Sequence, residues 1–154
     1  MRRHDKEIKD EAVIRKILEE SGLCRLGFVD NGEAYIVPVN YACEGMTIYF
    51  HSAPAGRKIE LMKKNNRISF EIEHTAEIIT GELPCSWTAR YRSVMGRGII
   101  SIETDPVLKK QGLDLIMRKY GAEMELNYDE NVFSRMIIIK LEIQSLTGKQ
   151  SGIW

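Results

Sequence analysis

The stretch YIVPVNYACEGMTIYFHSAPAGRK, residues 35–58, reads as two β-strands that feed a polar loop and then a helix whose first turn carries adjacent cations. The first strand takes Tyr35, Ile36, Val37, Pro38, Val39 and Asn40. Pro38 has no N–H to give to a ladder, which places this strand at an edge or leaves main-chain groups free beside it. The second strand, residues 47–51, ends at His51-Ser52; Ala53-Pro54-Ala55-Gly56 then turns the chain, and Arg57-Lys58 open the helix. Helix N-terminal amides and two neighbouring cations suit a phosphate, and free main-chain groups suit the rim of a flat heterocycle. The same cation pair also fits an ordinary solvated basic turn.

On the N-terminal side, Asp10 caps a helix in which Val13, Ile14, Ile17 and Leu18 share a face, with Ser21-Gly22 as a left-handed exit. Residues 23–29 and 33–41 flank Asp30-Asn31-Gly32, a hairpin signal, and Glu44-Gly45 turns into residues 47–51, giving three antiparallel strands. On the C-terminal side, Lys63-Lys64-Asn65-Asn66 ends the Arg57 helix with cations and left-handed-tolerant asparagines, and residues 67–73 alternate Ile68, Phe70 and Ile72 inward. Residues 87–102 form a long strand in which Gly96 and Gly98 share a face, the mark of a bulge or a close approach. Asp105 caps and Pro106 opens a helix with Leu108, Leu115, Ile116 and Tyr120 near one face, ended by Gly121. Asp129 or Asn131 caps a short helix, and residues 136–146 make the last strand. The pattern predicts one α+β domain over residues 1–154, with about six strands closed into an antiparallel barrel.

Charge narrows the function. The 22 basic and 22 acidic residues cancel, which removes the broad electrostatic footprint of a nucleic-acid or anionic-membrane binder, so an anion site must be local. Cys24, Cys43 and Cys85 are odd in number and contain no C-x-x-C pair, which argues against a disulfide framework or a zinc site and for a reducing compartment. The longest aliphatic and methionine run, residues 136–139, is far too short to span a bilayer; a cytoplasmic protein is expected. Gly96-x-Gly98 lacks the third glycine of a dinucleotide fingerprint, and no Walker A loop, G-x-S-x-G elbow or H-E-x-x-H pair occurs. His4, His51 and His74 lack zinc-ligand spacing with the cysteines, and no metal is expected.

A second constellation is CSWTARYRSVMGRG, residues 85–98, where Arg90 and Arg92 share one strand face and Tyr91 and Ser93 the other. Taken with Val37-Pro38-Val39-Asn40-Tyr41, Ile48-Tyr49-Phe50-His51-Ser52-Ala53 and Gly56-Arg57-Lys58, it gives the chain its resemblance to the pyridoxamine-phosphate-oxidase-like split-barrel flavoproteins, in their nitroimidazole-reductase-like branch. The resemblance implies a six-stranded antiparallel Greek-key split β-barrel with flanking helices, paired as a homodimer with FMN at the subunit interface. It assigns Arg57 and Lys58 to the phosphate, His51, Ser52 and Ala53 to the loop beside it, and Val37, Pro38, Val39 and Asn40 to the strand along the isoalloxazine. Arg92, Ser93 and Val94 match a strand that also approaches the flavin. The chain ends Thr147-Gly148-Lys149-Gln150-Ser151-Gly152-Ile153-Trp154, without the arginine-bearing pattern by which true pyridoxamine-phosphate oxidases hold their substrate.

The expected activity is therefore FMN-dependent reduction of a small planar acceptor, a nitroaromatic or quinone-like compound, with electrons from NADH or NADPH. His51 is the candidate catalytic proton donor, because an imidazole exchanges protons near neutrality. The alternatives are a non-catalytic flavin sensor, carrier or store, and the same barrel holding haem.

Overall fold

The computed structural model describes residues 3–154. A two-residue strand, β1 (Glu7–Ile8), leads into α1 (Glu11–Glu20), where the Asp10 carboxylate accepts the Ala12 amide at 2.8 Å. Ile17 and Leu18 carry the helix into the core. Its exit differs from the expected left-handed one: Ser21 is extended, with φ −71° and ψ 141°. The Ser21 hydroxyl donates back to the Ile17 carbonyl at 2.6 Å, which answers that acceptor locally.

β2 (Cys24–Asp30) and β3 (Glu33–Val39) form the predicted hairpin, with Asn31 at φ 52° and Gly32 at φ 89° supplying the twist a two-residue turn needs. The chain then does not turn back to lay a third strand beside β3. Tyr41 is fully buried at the corner; its hydroxyl donates to the Leu18 carbonyl at 2.7 Å and its amide donates to the Tyr120 hydroxyl at 3.0 Å. These bonds carry the backbone across to β4 (Ala42–Glu44) and β5 (Thr47–Ser52), which pair at the opposite edge of the sheet. Tyr41→Phe removes the hydroxyl that answers the Leu18 carbonyl and is expected to cost about 1 kcal/mol in urea unfolding, with the denaturant slope unchanged.

After α2 (Arg57–Lys64), Asn65 is extended at φ −148°, so the left-handed ending expected there is absent. β6 (Arg67–Ile79) buries Ile68, Phe70 and Ile72 as the alternation predicts and continues beyond Glu73 through a bulge between Glu73 and Thr75. Its partner β7 (Thr88–Glu103) carries the two glycines into tight quarters. A Cβ at Gly96 would lie 2.6 Å from the Ser145 carbonyl oxygen and inside the Phe70 ring, and one at Gly98 would overlap the Glu142 carbonyl. The close approach predicted there comes from the chain's own backbone and core.

α3 (Pro106–Lys119) starts at Asp105, whose carboxylate accepts the Val107 and Leu108 amides at 2.8 and 3.0 Å. Its buried face is Gly112, Leu113 and Ile116, whereas Leu108 is exposed, against the predicted face. The reason is at Gly112, where a Cβ would stand 2.9 Å from Ile138 Cγ2 and 3.2 Å from the Tyr49 ring; the helix packs through its smallest residue. α4 (Glu130–Arg135), capped by Asp129, leads into β8 (Ile137–Ser151).

The sheet order is β3-β2-β6-β7-β8-β5-β4, all antiparallel, with β1 added on β8. The six long strands predicted are present, and β1 and β4 add two short ones. The ladder does not close: β3 and β4 are both edges, joined at the corner by Asn40 and Tyr41, so the barrel is split and not the closed one expected from edge protection alone. Inside it, Leu26, Ile48, Phe50, Ile72, Val94, Ile100, Ile139 and Leu141 are essentially fully buried, each stabilising by about 1.5–3 kcal/mol. A second apolar layer, Ala42, Leu113, Ile116 and Ile138, lies where α3 covers the outer face of β4, β5 and β8. No helix among the described residues is long and apolar enough to cross a membrane.

Candidate functional site

Gly56, at φ 118°, delivers the chain to α2, and its carbonyl accepts the Ile59 and Glu60 amides at 2.9 and 3.1 Å. The Arg57 and Lys58 amides precede that first bonded turn and point out of the helix end. The two side chains differ sharply. Arg57 Nε donates to Asp30 at 2.6 Å, its Nη2 reaches the other Asp30 oxygen, and its Nη1 donates to Glu60 at 3.0 Å. These carboxylates, Asp30 foremost, hold the guanidinium pKa above its ordinary value. Lys58 instead lies half-buried with Nζ 5.6 Å from the centroid of the Phe50 ring, and burial lowers its pKa. It makes no ion pair among the described residues, so its charge is the one left open to a ligand.

The Arg57–Asp30 pair also ties the α2 start to the β2–β3 turn. From that turn β3 runs as an edge strand, paired only with β2, so its outer main-chain groups are unbonded within the sheet. Pro38 and Asn40 are exposed, while Val37 is half-buried and Val39 buried on the inner side. Glu33 to Pro38 spans about 17 Å at the rise of a strand. On the other flank of the same loop, His51 is exposed at the end of β5, opposite Ile138; Ser52 turns inward and is buried, and Ala53 is exposed. The structure thus gathers His51, Ser52, Ala53, Arg57 and Lys58 at one end of the barrel, beside the turn from which β3 departs.

Arg92, Ser93 and Val94 are not part of that group. Arg92 sits opposite Thr75, and the path along β6 from Arg67 to Thr75 is about 27 Å. Across the sheet, β7 lies three strands from β3, about 14 Å. Val94 is fully buried, and its side chain belongs to the core. Arg92 Nε donates to Gln150 at 3.0 Å, and its guanidinium lies 4.1 Å from the Trp154 ring centroid; Arg90 flanks the same indole at 5.2 Å while paired with Glu77. The indole N–H donates to the Ser151 carbonyl at 2.9 Å. Asp30, Glu60 and Gln150, which set the charge state and position of these arginines, were not singled out from the sequence. Glu60 was readable at helical spacing from Arg57, whereas Asp30 and Gln150 are brought in only by strand pairing. Among the described residues no group of three or more His, Cys, Asp or Glu side chains is placed to hold a metal.

Comparison with known proteins adds to this geometry. A family model described as pyridoxamine 5'-phosphate oxidase matches residues 10–150. The crystal structure of a candidate 5-nitroimidazole antibiotic resistance protein from Bacteroides thetaiotaomicron is similar, with 30% sequence identity and a TM-score of 0.84, covering 94% of this chain and 86% of that one. A flavocytochrome from Azotobacter vinelandii shares the fold at 20% identity and TM-score 0.85, over 99% of this chain and 72% of that chain. An FAD- and haem-binding protein from Mycobacterium smegmatis does so at 16% identity and TM-score 0.85, over 97% and 75%. Among curated sequences, an uncharacterized protein of Rhizobium meliloti is 32% identical over 80 residues, 46% of this chain and 52% of that protein, so the match spans about half of the relative's length.

Proposed function

The chain belongs to the pyridoxamine 5'-phosphate oxidase family, and on that premise we propose that it binds FMN and works as an oxidoreductase, reducing small nitroaromatic or quinone-like acceptors with electrons from NADH or NADPH. The observation that carries this reading is Lys58 at the start of α2, without an ion-pair partner among the described residues and beside a β3 edge that offers free main-chain groups over the length of a flavin. Support for a flavin comes from the relatives described as a flavocytochrome and as an FAD- and haem-binding protein; the nitroimidazole resistance protein supports a nitro acceptor.

The residues present fit the coenzyme. Lys58 and the first α2 amides would hold the phosphate, with Arg57 held alongside by Asp30. The main chain at the exposed Pro38 and Asn40 would line the ring system. FMN, when bound, supplies the hydride and electron transfer; the protein binds, orients and excludes water. His51, exposed at the mouth of this site, donates a proton from its ring N–H to the acceptor. Because Arg92 and Ser93 stand far from Lys58 within one chain, both sets meet one flavin only when a second copy contributes Arg92 and Ser93, and the working unit is a homodimer.

Two measurements test this. Protein as purified should be yellow and release FMN on denaturation, and it should oxidise NADH or NADPH with a nitroaromatic acceptor; bound flavin without turnover would demote it to a carrier or sensor. His51→Ala should lower kcat by about 10²-fold. Unchanged turnover would remove His51 from the mechanism.

A further inference from the structure

Away from the α2 end, Lys119 in the last turn of α3 faces a cleft of about 500 Å³ between α1, β4 and α3, lined also by Glu19, Glu20, Ala42, Cys43, Leu115 and Tyr120. Its Nζ lies 3.3 Å from the centroid of the Tyr41 ring and 3.4 Å from the Leu18 carbonyl oxygen, which already accepts the Tyr41 hydroxyl at 2.7 Å. An ammonium has three donors, and only one here has a protein acceptor, a long contact at that. Glu20 is turned to Lys16 and His74, at 3.9 Å from each, and no carboxylate forms an ion pair with Lys119 among the described residues. Burial on α3 therefore pushes the amine down to about 8, with the charges of Cys43, Cys24 and Glu19 opposing the shift. Its neighbours move the other way: burial pushes the Cys43 thiol up to about 11 and the Cys24 thiol up to about 12, and it raises Tyr41 and Tyr120 as well. Among the amine, the thiols and the phenols around this cleft, the amine is the nucleophile that loses its proton most readily.

We propose that Lys119 is a covalent carbonyl-binding residue, whose Nζ captures small uncharged aldehydes entering the cleft between α1, β4 and α3. The neutral amine attacks the carbonyl carbon, both of its N–H protons pass to the carbonyl oxygen, and that oxygen leaves as water as the C=O bond is replaced by a C=N bond; no electrons are exchanged and no further reagent is needed. Leu115, Ala42 and the Tyr120 ring offer an apolar wall for the aldehyde substituent, while Glu19 and Glu20 at the rim repel anionic aldehydes. The site is separate from the α2 end and does not depend on flavin.

Reductive trapping reads it directly. Protein as purified is treated with benzaldehyde and cyanoborohydride at pH 7, and labelling rates are mapped by peptide mass spectrometry at Lys119 and at the exposed Lys63 and Lys64. At that pH an amine titrating near 8 is roughly a tenth neutral, against less than about a thousandth for an ordinary lysine, so even with its lower basicity Lys119 should label about tenfold faster. 4-Carboxybenzaldehyde should lose most of the preference. Labelling of Lys119 no faster than Lys63 and Lys64, or equal capture of the charged and uncharged aldehydes, overturns the proposal.

Discussion

Replacing Lys58 by alanine is expected to weaken FMN binding by about a hundredfold while leaving riboflavin affinity within about twofold. The size follows from one charge-assisted contact to a phosphate in a partly desolvated place, about 1.5–3 kcal/mol. Arg57→Ala should cost less, roughly tenfold, because the guanidinium already spends its donors on Asp30 and Glu60 and brings little net charge to the ligand. Calorimetric titration of apoprotein with both flavins checks this ordering, and equal losses for FMN and riboflavin would remove the phosphate from the α2 end. The pH dependence has a definite sign. Burial lowers the Lys58 pKa in the free protein and a bound phosphate raises it, so FMN affinity should fall as pH rises through the free-protein value, earlier than for an exposed lysine.

Gly98→Val is expected to destabilise the fold by about 3 kcal/mol, a large share of the roughly 5–15 kcal/mol of an ordinary domain. A Cβ there runs into the Glu142 carbonyl and the Leu141 side chain, at the point where the β7–β8 register shifts between Arg97 and Gly98. Both strands are central in the sheet, so neither backbone has a free side to move toward. By contrast, a Cβ at Gly22 meets nothing within 4 Å, and Gly22→Ala serves as the matched control in urea unfolding.

These two positions show what sequence reading captures. Local rules located the Asn31-Gly32 turn, the Asp105-Pro106 cap and the inward alternation of Ile68, Phe70 and Ile72, since each depends on residues a few places apart. The glycine pair in β7 was legible as a tight spot, though not that Phe70 and Ser145 make it tight. Past Glu73 the alternation of β6 fades, because both faces of its outer part are exposed, and the strand's continuation to Ile79 could not be read. The strand-like stretch through Asn40 and Tyr41 hid the break in the backbone, which is imposed by Leu18 and Tyr120 from elsewhere in the chain. At the candidate site, resemblance and helix-start chemistry led to Lys58 and Arg57 alike; that Asp30 occupies one and leaves the other open depends on a hairpin folding back. Arg92 was grouped with them by motif, and only strand order separates them.

The sheet order has a consequence for assembly. β4 and β5 touch no other strand of the sheet until β8 arrives, with Thr47 facing Glu142 and Ser52 facing Ile137. A two-stranded ribbon alone is marginal in water. During synthesis the ribbon carrying His51 must therefore wait, apolar and unsheltered, for β8 to leave the ribosome, and the candidate site is completed only by a slow pairing between residues far apart in the sequence.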